Sequence, residues 1–315
     1  MKPTLTVVCP AYNEEAVIGK FYGELQSVLT SLNGRYESTM LFVVDRCTDN
    51  TLDVLKDIAG KDPRVKILSL SSRFGHQMSL LAGMDHSSSD AVIMMDTDLQ
   101  HPPAIIPSML GEFEKGYDVV YTIRQDAPDT GLLKRISSKL FYRMINRVSN
   151  VPINESAADF RLLSRRVVDI FKKQIRERNQ FLRGLVSWVG FRSIGIEFGA
   201  MKRAAGKGKY SISRMVRFGV QGIISFSKRP LQAAVLVGVM FAVFGFINAV
   251  FTFVQYFLND SLPSGWTTLT ILISIFSGVQ LIFLGIIGEY IAAIFDEVKG
   301  RPLYIVEEQI NFHDE

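Results

Sequence analysis

Two apolar runs constrain this 315-residue chain more than anything else in it. Leu231–Leu258 and Thr267–Phe295 are 28 and 29 residues long, and no Lys or Arg occurs from Leu231 to Val298. A helix of that length spans about 42 Å, more than the ~30 Å hydrocarbon core of a bilayer, so both runs can cross with tilt. Neither run is N-terminal, so neither reads as a signal peptide. The connecting loop Asn259–Trp266 lacks positive charge, whereas Lys228 and Arg229 precede the pair and Lys299 and Arg301 follow it. By the positive-inside rule both ends of such a hairpin are expected in the cytoplasm. Gly238, Gly245, Gly278, Gly285 and Gly288 offer small-residue contacts within the runs, an opening for a homo-oligomer.

The net charge of +4 hides a segregation. Between Gly131 and Arg229 there are 22 Lys and Arg against 5 Asp and Glu; the rest of the chain carries 13 against 26. A basic middle beside a membrane hairpin suggests attraction to anionic headgroups and phosphates, and the hairpin argues against nucleic acid as the partner. Within it, Gly131–Asn150 places Leu133, Ile136, Leu140, Phe141, Met144, Ile145 and Val148 on one helical face beside a stripe of Arg135, Lys139, Arg143 and Arg147. Ile212–Ser227 repeats the pattern and runs into the hairpin. Both read as helices lying at a membrane surface. The two cysteines, Cys9 and Cys47, fit a reducing compartment and support neither a disulfide framework nor a zinc site.

The first 130 residues alternate short apolar strands with amphipathic helices. Leu5–Cys9, Met40–Val44, Val65–Leu70, Ala91–Met95 and Asp118–Ile123 read as strands; Glu14–Leu32, Thr51–Gly60, His76–Ser87 and Pro103–Lys115 read as helices. That alternation predicts a mainly parallel, doubly wound α/β sheet, which binds ligands at the carboxyl ends of its strands. Three of the strands end in acids or in a turn. Pro10-Ala11-Tyr12-Asn13-Glu14 closes the first, Asp45 the second, and Asp96-Thr97-Asp98-Leu99-Gln100-His101-Pro102-Pro103 the fourth. In an extended segment residues i and i+2 point the same way, so Asp96 and Asp98 are expected to converge on one divalent ion. A lone pair of this kind reads first as turn or capping aspartates; the neighbouring motifs favour the metal reading.

Taken in order and spacing, these motifs resemble the family-2 glycosyltransferases of the GT-A fold. More narrowly they resemble the polyprenyl-phosphate glycosyltransferases, which include dolichyl-phosphate mannose synthases and bactoprenol glucosyltransferases. The likeness continues through Ser72-Arg73-Phe74-Gly75, Asp159-Phe160-Arg161-Leu162-Leu163, Arg203-Ala204-Ala205-Gly206-Lys207-Gly208-Lys209-Tyr210-Ser211 and Gly288-Glu289-Tyr290 to Asp296–Pro302, nearly the whole chain. The two-helix hairpin points to the bactoprenol glucosyltransferase branch. One departure stands out. The family usually shows two adjacent aspartates followed by Gly-Ser at the second strand, where this chain has Val44-Asp45-Arg46-Cys47, so recognition of the base is expected to rest on Asp45 or on a slightly shifted backbone.

The resemblance implies four segments: a nucleotide-sugar-binding GT-A core over 1–130, an acceptor-side part of the catalytic domain with interface helices over 131–229, a transmembrane hairpin over 230–296, and a cytoplasmic tail over 297–315. It implies that Pro10, Ala11, Tyr12, Glu14 and Asp45 line the donor pocket. Asp96, Asp98 and Gln100 would hold Mg2+ or Mn2+ against the donor diphosphate. Lys207 and Lys209, in a Gly-rich loop, would close over it, and Arg203 would serve both substrates. Arg124, Arg135, Ser138 and Arg203 match the acceptor-phosphate positions.

Asp159 stands where the family places its proposed catalytic base. A phosphate monoester has a second pKa of about 6 and needs little deprotonation, so orienting the acceptor or balancing Arg161 serves equally well for Asp159. His101 is read as structural, and His76, His86 and His313 show no partner pattern. Glu289, inside the second apolar run, is a functional candidate by position. The implied reaction is inverting transfer of a hexose, glucose from UDP-glucose foremost, to undecaprenyl phosphate at the cytoplasmic face of a bacterial plasma membrane. GDP-mannose or a UDP-linked amino sugar are the alternative donors, and a catalytically silent membrane scaffold the alternative class. A processive synthase would carry Q-x-x-R-W; the nearest segment here, Gln180-Phe181-Leu182-Arg183-Gly184, has Gly in place of Trp.

Overall fold

The computed structural model describes residues 2–125, 157–178, 180–199, 229–258 and 265–312. The chain divides into two compact units, one holding the sheet and the other the two long helices.

The sheet unit opens with β1 (Thr4–Ala11), α1 (Glu15–Ser31), β2 (Glu37–Asp45), α2 (Thr51–Ala59), β3 (Val65–Leu70), α3 (His76–Asp85) and β4 (Ala91–Met94). A 3-10 turn, Pro103–Ile105, leads into α4 (Ile106–Glu114) and β5 (Val119–Gln125). After an interval outside the described residues come β6 (Ala157–Ser164), α5 (Arg165–Lys173), α6 (Leu182–Trp188) and β7 (Ser193–Gly199). The long helices are α7 (Arg229–Leu258) and α8 (Trp266–Val298), and the chain then returns to the sheet as β8 (Val306–Ile310).

The eight strands run in the order β7-β5-β6-β4-β1-β2-β3-β8. β1 pairs in parallel with β2 and β4, β2 with β3, and β5 with β7; β6 is antiparallel to β4 and β5, and β8 to β3. The central strands are apolar almost throughout because both of their faces are covered. Leu5, Val7, Val8 and Cys9 of β1 and Met40, Phe42 and Val43 of β2 are fully buried. From α1, Ile18, Phe21, Leu25 and Leu29 pack onto that layer, with Phe21 edge-on to Phe42 at 6.2 Å. α3 approaches β1 so closely that a Cβ on Gly83 would fall 2.1 Å from Val8 Cγ1.

The chain order reverses between β1 and β4, which opens a crevice at their carboxyl ends. Pro10 and Ala11, Asp45, and the Asp96–Gln100 segment all lie at that end, after or at the close of β1, β2 and β4.

Two expectations change. The segment after the hairpin, expected as a tail over 297–315, contributes a strand to the sheet. β8 pairs with β3 in the register Ile67↔Ile310 and Ser69↔Glu308, and Ser71 N donates to Ile305 O at 3.0 Å. Lys56 pairs with Glu308 at 2.7 Å, Tyr304 Oη donates to Asp85 at 2.7 Å, and Asn311 Nδ2 donates to Ala59 O and Val65 O. The polar look of Val306–Ile310 reflects an edge strand whose middle residues face water. The second change concerns Asp96 and Asp98, which are not in the extended strand. β4 ends at Met94, and the two acids lie in the bend that follows. Strict alternation therefore does not govern their direction.

In the second unit, α7 and α8 are 30 and 33 residues long, about 45 and 50 Å at the helical rise. Their large apolar side chains face outward, among them Leu236, Phe246, Leu281 and Ile282. Phe241 and Phe276 meet edge-on at 5.2 Å between the helices. Both are long and apolar enough to cross a membrane. The expected interface helices, Gly131–Asn150 and Ile212–Ser227, lie outside the described residues.

Candidate active site

The β1 turn is fixed by reciprocal bonds to the loop after β2. Asn13 adopts a left-handed backbone (φ 56°), its side-chain amide donates to Thr48 Oγ1 at 2.9 Å, and Thr48 N donates back to Asn13 Oδ1 at 2.8 Å. Glu14 N donates to Thr51 Oγ1, and Glu14 O accepts from Val17 and Ile18, so Glu14 starts α1. The helical start of α2 is held by Asp49, whose Oδ1 accepts from Thr51 N and Thr51 Oγ1, and not by Asn50. Pro10 and Ala11 are buried; the Arg73 guanidinium lies 4.1 Å over the Tyr12 ring, a cation–π contact.

Asp45 is buried, and each of its oxygens already accepts a backbone amide: Phe74 N at 2.7 Å and Gly75 N at 2.9 Å. It fastens the loop before α3 to the end of β2. Arg46, at the position of the departure from the family pattern, donates to Ser71 O in the same loop at 2.7 Å. Cys47 Sγ accepts from Asn13 N at 3.3 Å.

The Asp96–His101 bend carries a left-handed residue of its own. Leu99 is buried with φ 61°, a conformation that costs of order 1–3 kcal/mol for a bulky side chain and persists only where its surroundings enforce it. Thr97 Oγ1 donates to Pro10 O, and Gln100 N donates to Asp98 Oδ1 at 3.0 Å, so the bend is tied to β1 and closed on itself. Asp96 Oδ1 lies 2.6 Å from His76 Nε2, and Asp96 Oδ2 lies 3.8 Å from His101 Nδ1. Burial works to raise the Asp96 carboxyl, but the hydrogen bond and charge of His76 outweigh it and hold its pKa below the usual value. Against the cost of desolvation, Asp96 in turn holds the His76 imidazole above its usual pKa. His101 is buried between Phe160, stacked at 5.4 Å, and Phe198, edge-on at 5.9 Å.

Asp159, on β6, meets two guanidinium groups. Arg183 Nε donates to Oδ1 at 2.7 Å and Arg183 Nη2 to Oδ2 at 2.9 Å, a bidentate fork; Arg161 Nη2 stands 3.8 Å away. Burial works to raise the Asp159 carboxyl, but the Arg183 charge and hydrogen bonds, with Arg161 behind, hold it well below the carboxylate range. Arg161 is buried, and desolvation brings its pKa down to about 10. α6, which carries Arg183, is joined to α3 by Leu182 N donating to Gln77 Oε1 at 3.2 Å.

The crevice end of the sheet thus brings together Pro10, Ala11, Tyr12, Glu14, Asp45, Asp96, Asp98, Gln100 and Asp159. Arg124 lies in β5 opposite Phe198 of β7. Arg135, Ser138, Arg203, Lys207 and Lys209 lie outside the described residues. His76 does have a partner, contrary to the sequence reading; Asp96 sits twenty positions away, so no local spacing reveals it. Arg183 was visible only as part of an incomplete Q-x-x-R-W look-alike. Among the described residues no cluster of three or more His, Cys, Asp and Glu forms a cation site by itself. Two carboxylates and an amide oxygen on one bend are nevertheless the hard oxygen donors that Mg2+ or Mn2+ takes alongside diphosphate oxygens. An Asp96 carboxylate already oriented by His76, with the buried His101 Nδ1 close by and lacking a hydrogen-bond partner among the described residues, fits such a group.

Residues 6–171 match Glycosyl transferase family 2, and residues 229–294 match the GtrB C-terminal hairpin. The chain belongs to glycosyl transferase family 2, and its sheet unit is a GT-A-type, Rossmann-like catalytic fold. The hairpin family and the two outward-facing apolar helices mark it as membrane-associated. Among its relatives is the uncharacterized glycosyltransferase YkcC of Bacillus subtilis (strain 168), 39% identical over 302 residues, which span 96% of this chain and 93% of that one. The SfII prophage-derived bactoprenol glucosyl transferase of Shigella flexneri is 36% identical over 303 residues, 96% of this chain and 97% of that one. The prophage bactoprenol glucosyl transferase homolog of Escherichia coli (strain K12) is 35% identical over 303 residues, with 96% and 98% covered.

Proposed function

We propose that this glycosyltransferase moves glucose from UDP-glucose to a polyprenyl phosphate of the bactoprenol class, with inversion, at the cytoplasmic face of a bacterial inner membrane. The observation that carries the reading is the oxygen-donor bend Asp96–Gln100 at the carboxyl ends of β1 and β4, in a chain alike over 96% of its length to bactoprenol glucosyl transferases.

A sugar leaving a nucleoside diphosphate builds negative charge on the diphosphate and oxocarbenium character on the sugar. Asp96, Asp98 and Gln100 would hold Mg2+ or Mn2+, which supplies neutralisation of the diphosphate charge when bound. Pro10, Ala11, Tyr12, Glu14 and Asp45 form the wall on which the nucleotide lies, with Asp45 acting chiefly through the loop it fastens. The acceptor is a phosphate already dianionic near neutral pH, so the enzyme's task is to bring two anions together with fixed cations. By resemblance Arg124, Arg135 and Arg203 supply those cations to the acceptor, with the Ser138 hydroxyl as a hydrogen-bond partner, and Arg203, Lys207 and Lys209 supply them to the diphosphate. The hairpin anchors the enzyme where its lipid substrate resides, offers a surface for self-association, and leaves the 1–130 and 131–229 segments with the chemistry.

A matrix of labelled nucleotide sugars against polyprenyl phosphates of several lengths, with and without EDTA, tests this directly. Metal-dependent label in the lipid extract from UDP-glucose supports the reading. Label from GDP-mannose or a UDP-linked amino sugar instead reassigns the donor. No lipid product from any donor overturns it.

A further inference from the structure

We propose that Asp159 serves the reaction by holding Arg183, and that Arg183 is the group presented to a phosphate oxygen of a substrate. The proposal rests on the function assigned above and names a binding residue within that site.

Three observations carry it. Both Asp159 oxygens are engaged by the Nε–Nη2 edge of Arg183, at 2.7 and 2.9 Å. A guanidinium that uses this edge on one carboxylate has its direction fixed and turns its other edge away from it. Second, two guanidinium groups converge on Asp159, and they differ in exposure: the Arg161 side chain is 3% accessible and that of Arg183 33%. Arg161 is interior, whereas Arg183 is partly exposed. Third, Arg183 is placed by the same contacts that build the donor side. Leu182 N donates to Gln77 Oε1, Gln77 Nε2 lies 3.3 Å from His76 Nδ1, and His76 holds Asp96. The helix start that carries Arg183 is therefore tied to the acid that faces the diphosphate.

A proton-accepting role for Asp159 fits these contacts poorly. A carboxylate in a bidentate fork is a weak base, and a phosphate acceptor has little need of one. A planar fork of fixed direction is, by contrast, well suited to a phosphate oxygen. The phosphate can belong to the donor diphosphate or to the lipid, and the experiment separates the two.

The full-length enzyme in nanodiscs would be compared with R183Q, R183K, D159N and D159N/R183Q. KM would be measured for each substrate, and UDP binding by calorimetry without acceptor. R183Q should raise KM for one phosphate substrate by about 10–100-fold, with R183K recovering part of the loss. D159N should show the same signature, and the double variant should be no worse than R183Q alone, because both changes remove one device. Weakened UDP binding assigns the donor diphosphate; unchanged UDP binding with a raised lipid KM assigns the acceptor. Wild-type KM for both substrates in R183Q overturns the proposal, as do losses in the two single variants that multiply in the double. Should R183Q fail to fold, R183K decides: a several-fold KM shift supports the proposal and none overturns it. An inactive wild-type enzyme would refute the assigned reaction, while the calorimetric arm would still read Arg183.

Discussion

His76 Nε2 and Asp96 Oδ1 lie 2.6 Å apart, twenty residues apart in sequence, and this contact joins the start of α3 to the bend after β4. A carboxylate that binds a divalent ion works best when a neighbour fixes its direction, and His76 does that for Asp96. His76→Ala should therefore raise the Mn2+ concentration needed for half-maximal activity by about 10–100-fold. Metal titrations of initial rate, with Mn2+ binding followed by electron paramagnetic resonance, measure it. An unshifted titration would show that His76 has no part in placing Asp96.

Asp98 closes the bend by accepting from Gln100 N, and its removal should cost turnover more than stability. Asp98→Ala should lower kcat by about 10²–10³-fold or more while the melting temperature moves little. Saturating EDTA on the wild-type enzyme should have the same effect. A wild-type rate under either treatment contradicts the metal role.

Asp159 gives the site a pH signature. Burial works to raise its carboxyl, but Arg183 and Arg161 outweigh it and hold it well below the ordinary value. The stability this pairing contributes is complete above the unfolded carboxylate pKa of about 4, and is lost as pH falls through the lower folded value. Asp159→Asn should cost about 1–3 kcal/mol at pH 7, the figure being tempered by the partial exposure of Arg183. That deficit should persist down to about pH 4 and shrink only below it. Melting curves of the two proteins at a series of pH values give the comparison. A deficit that disappears already between pH 7 and 5 would mean Asp159 is not held ionised.

Gly83 and Gly19 make a matched pair on two helices of the sheet unit. A Cβ at Gly83 meets Val8 Cγ1 at 2.1 Å, in the fully buried contact between α3 and β1, whereas a Cβ at Gly19 on α1 meets nothing within 4 Å. Gly83→Ala should destabilise by about 1–3 kcal/mol through overpacking. Gly19→Ala should be neutral or stabilise by about 0.5–1 kcal/mol, since it lowers the entropy of the unfolded chain. Denaturant or thermal unfolding of both variants checks the pair, and equal effects would deny the close α3–β1 approach.

Much of this protein was legible without coordinates, and the reason is local. The β1–β5 strands and the helices between them are written in short apolar runs and turn residues that each declare their own structure. The apolar runs of α7 and α8 need nothing but their length. The acids at the carboxyl ends of β2 and β4 follow from where those runs stop. β6 and β7 were not legible. β6 carries Asp159 and Arg161 inside the sheet, where mutual pairing and Arg183 make charge tolerable, and an isolated segment of that composition does not announce a strand. β8 reads as polar because only the ladder to β3 makes it a strand. The partnerships His76–Asp96 and Asp159–Arg183 depend on which loop ends the sheet brings together at the reversal between β1 and β4. The sequence determined the elements and their chemical inventory, because backbone propensity and burial act over a few residues. Only the tertiary structure decided which charge faces which, because Coulombic and hydrogen-bond pairing follows distance in space and not along the chain.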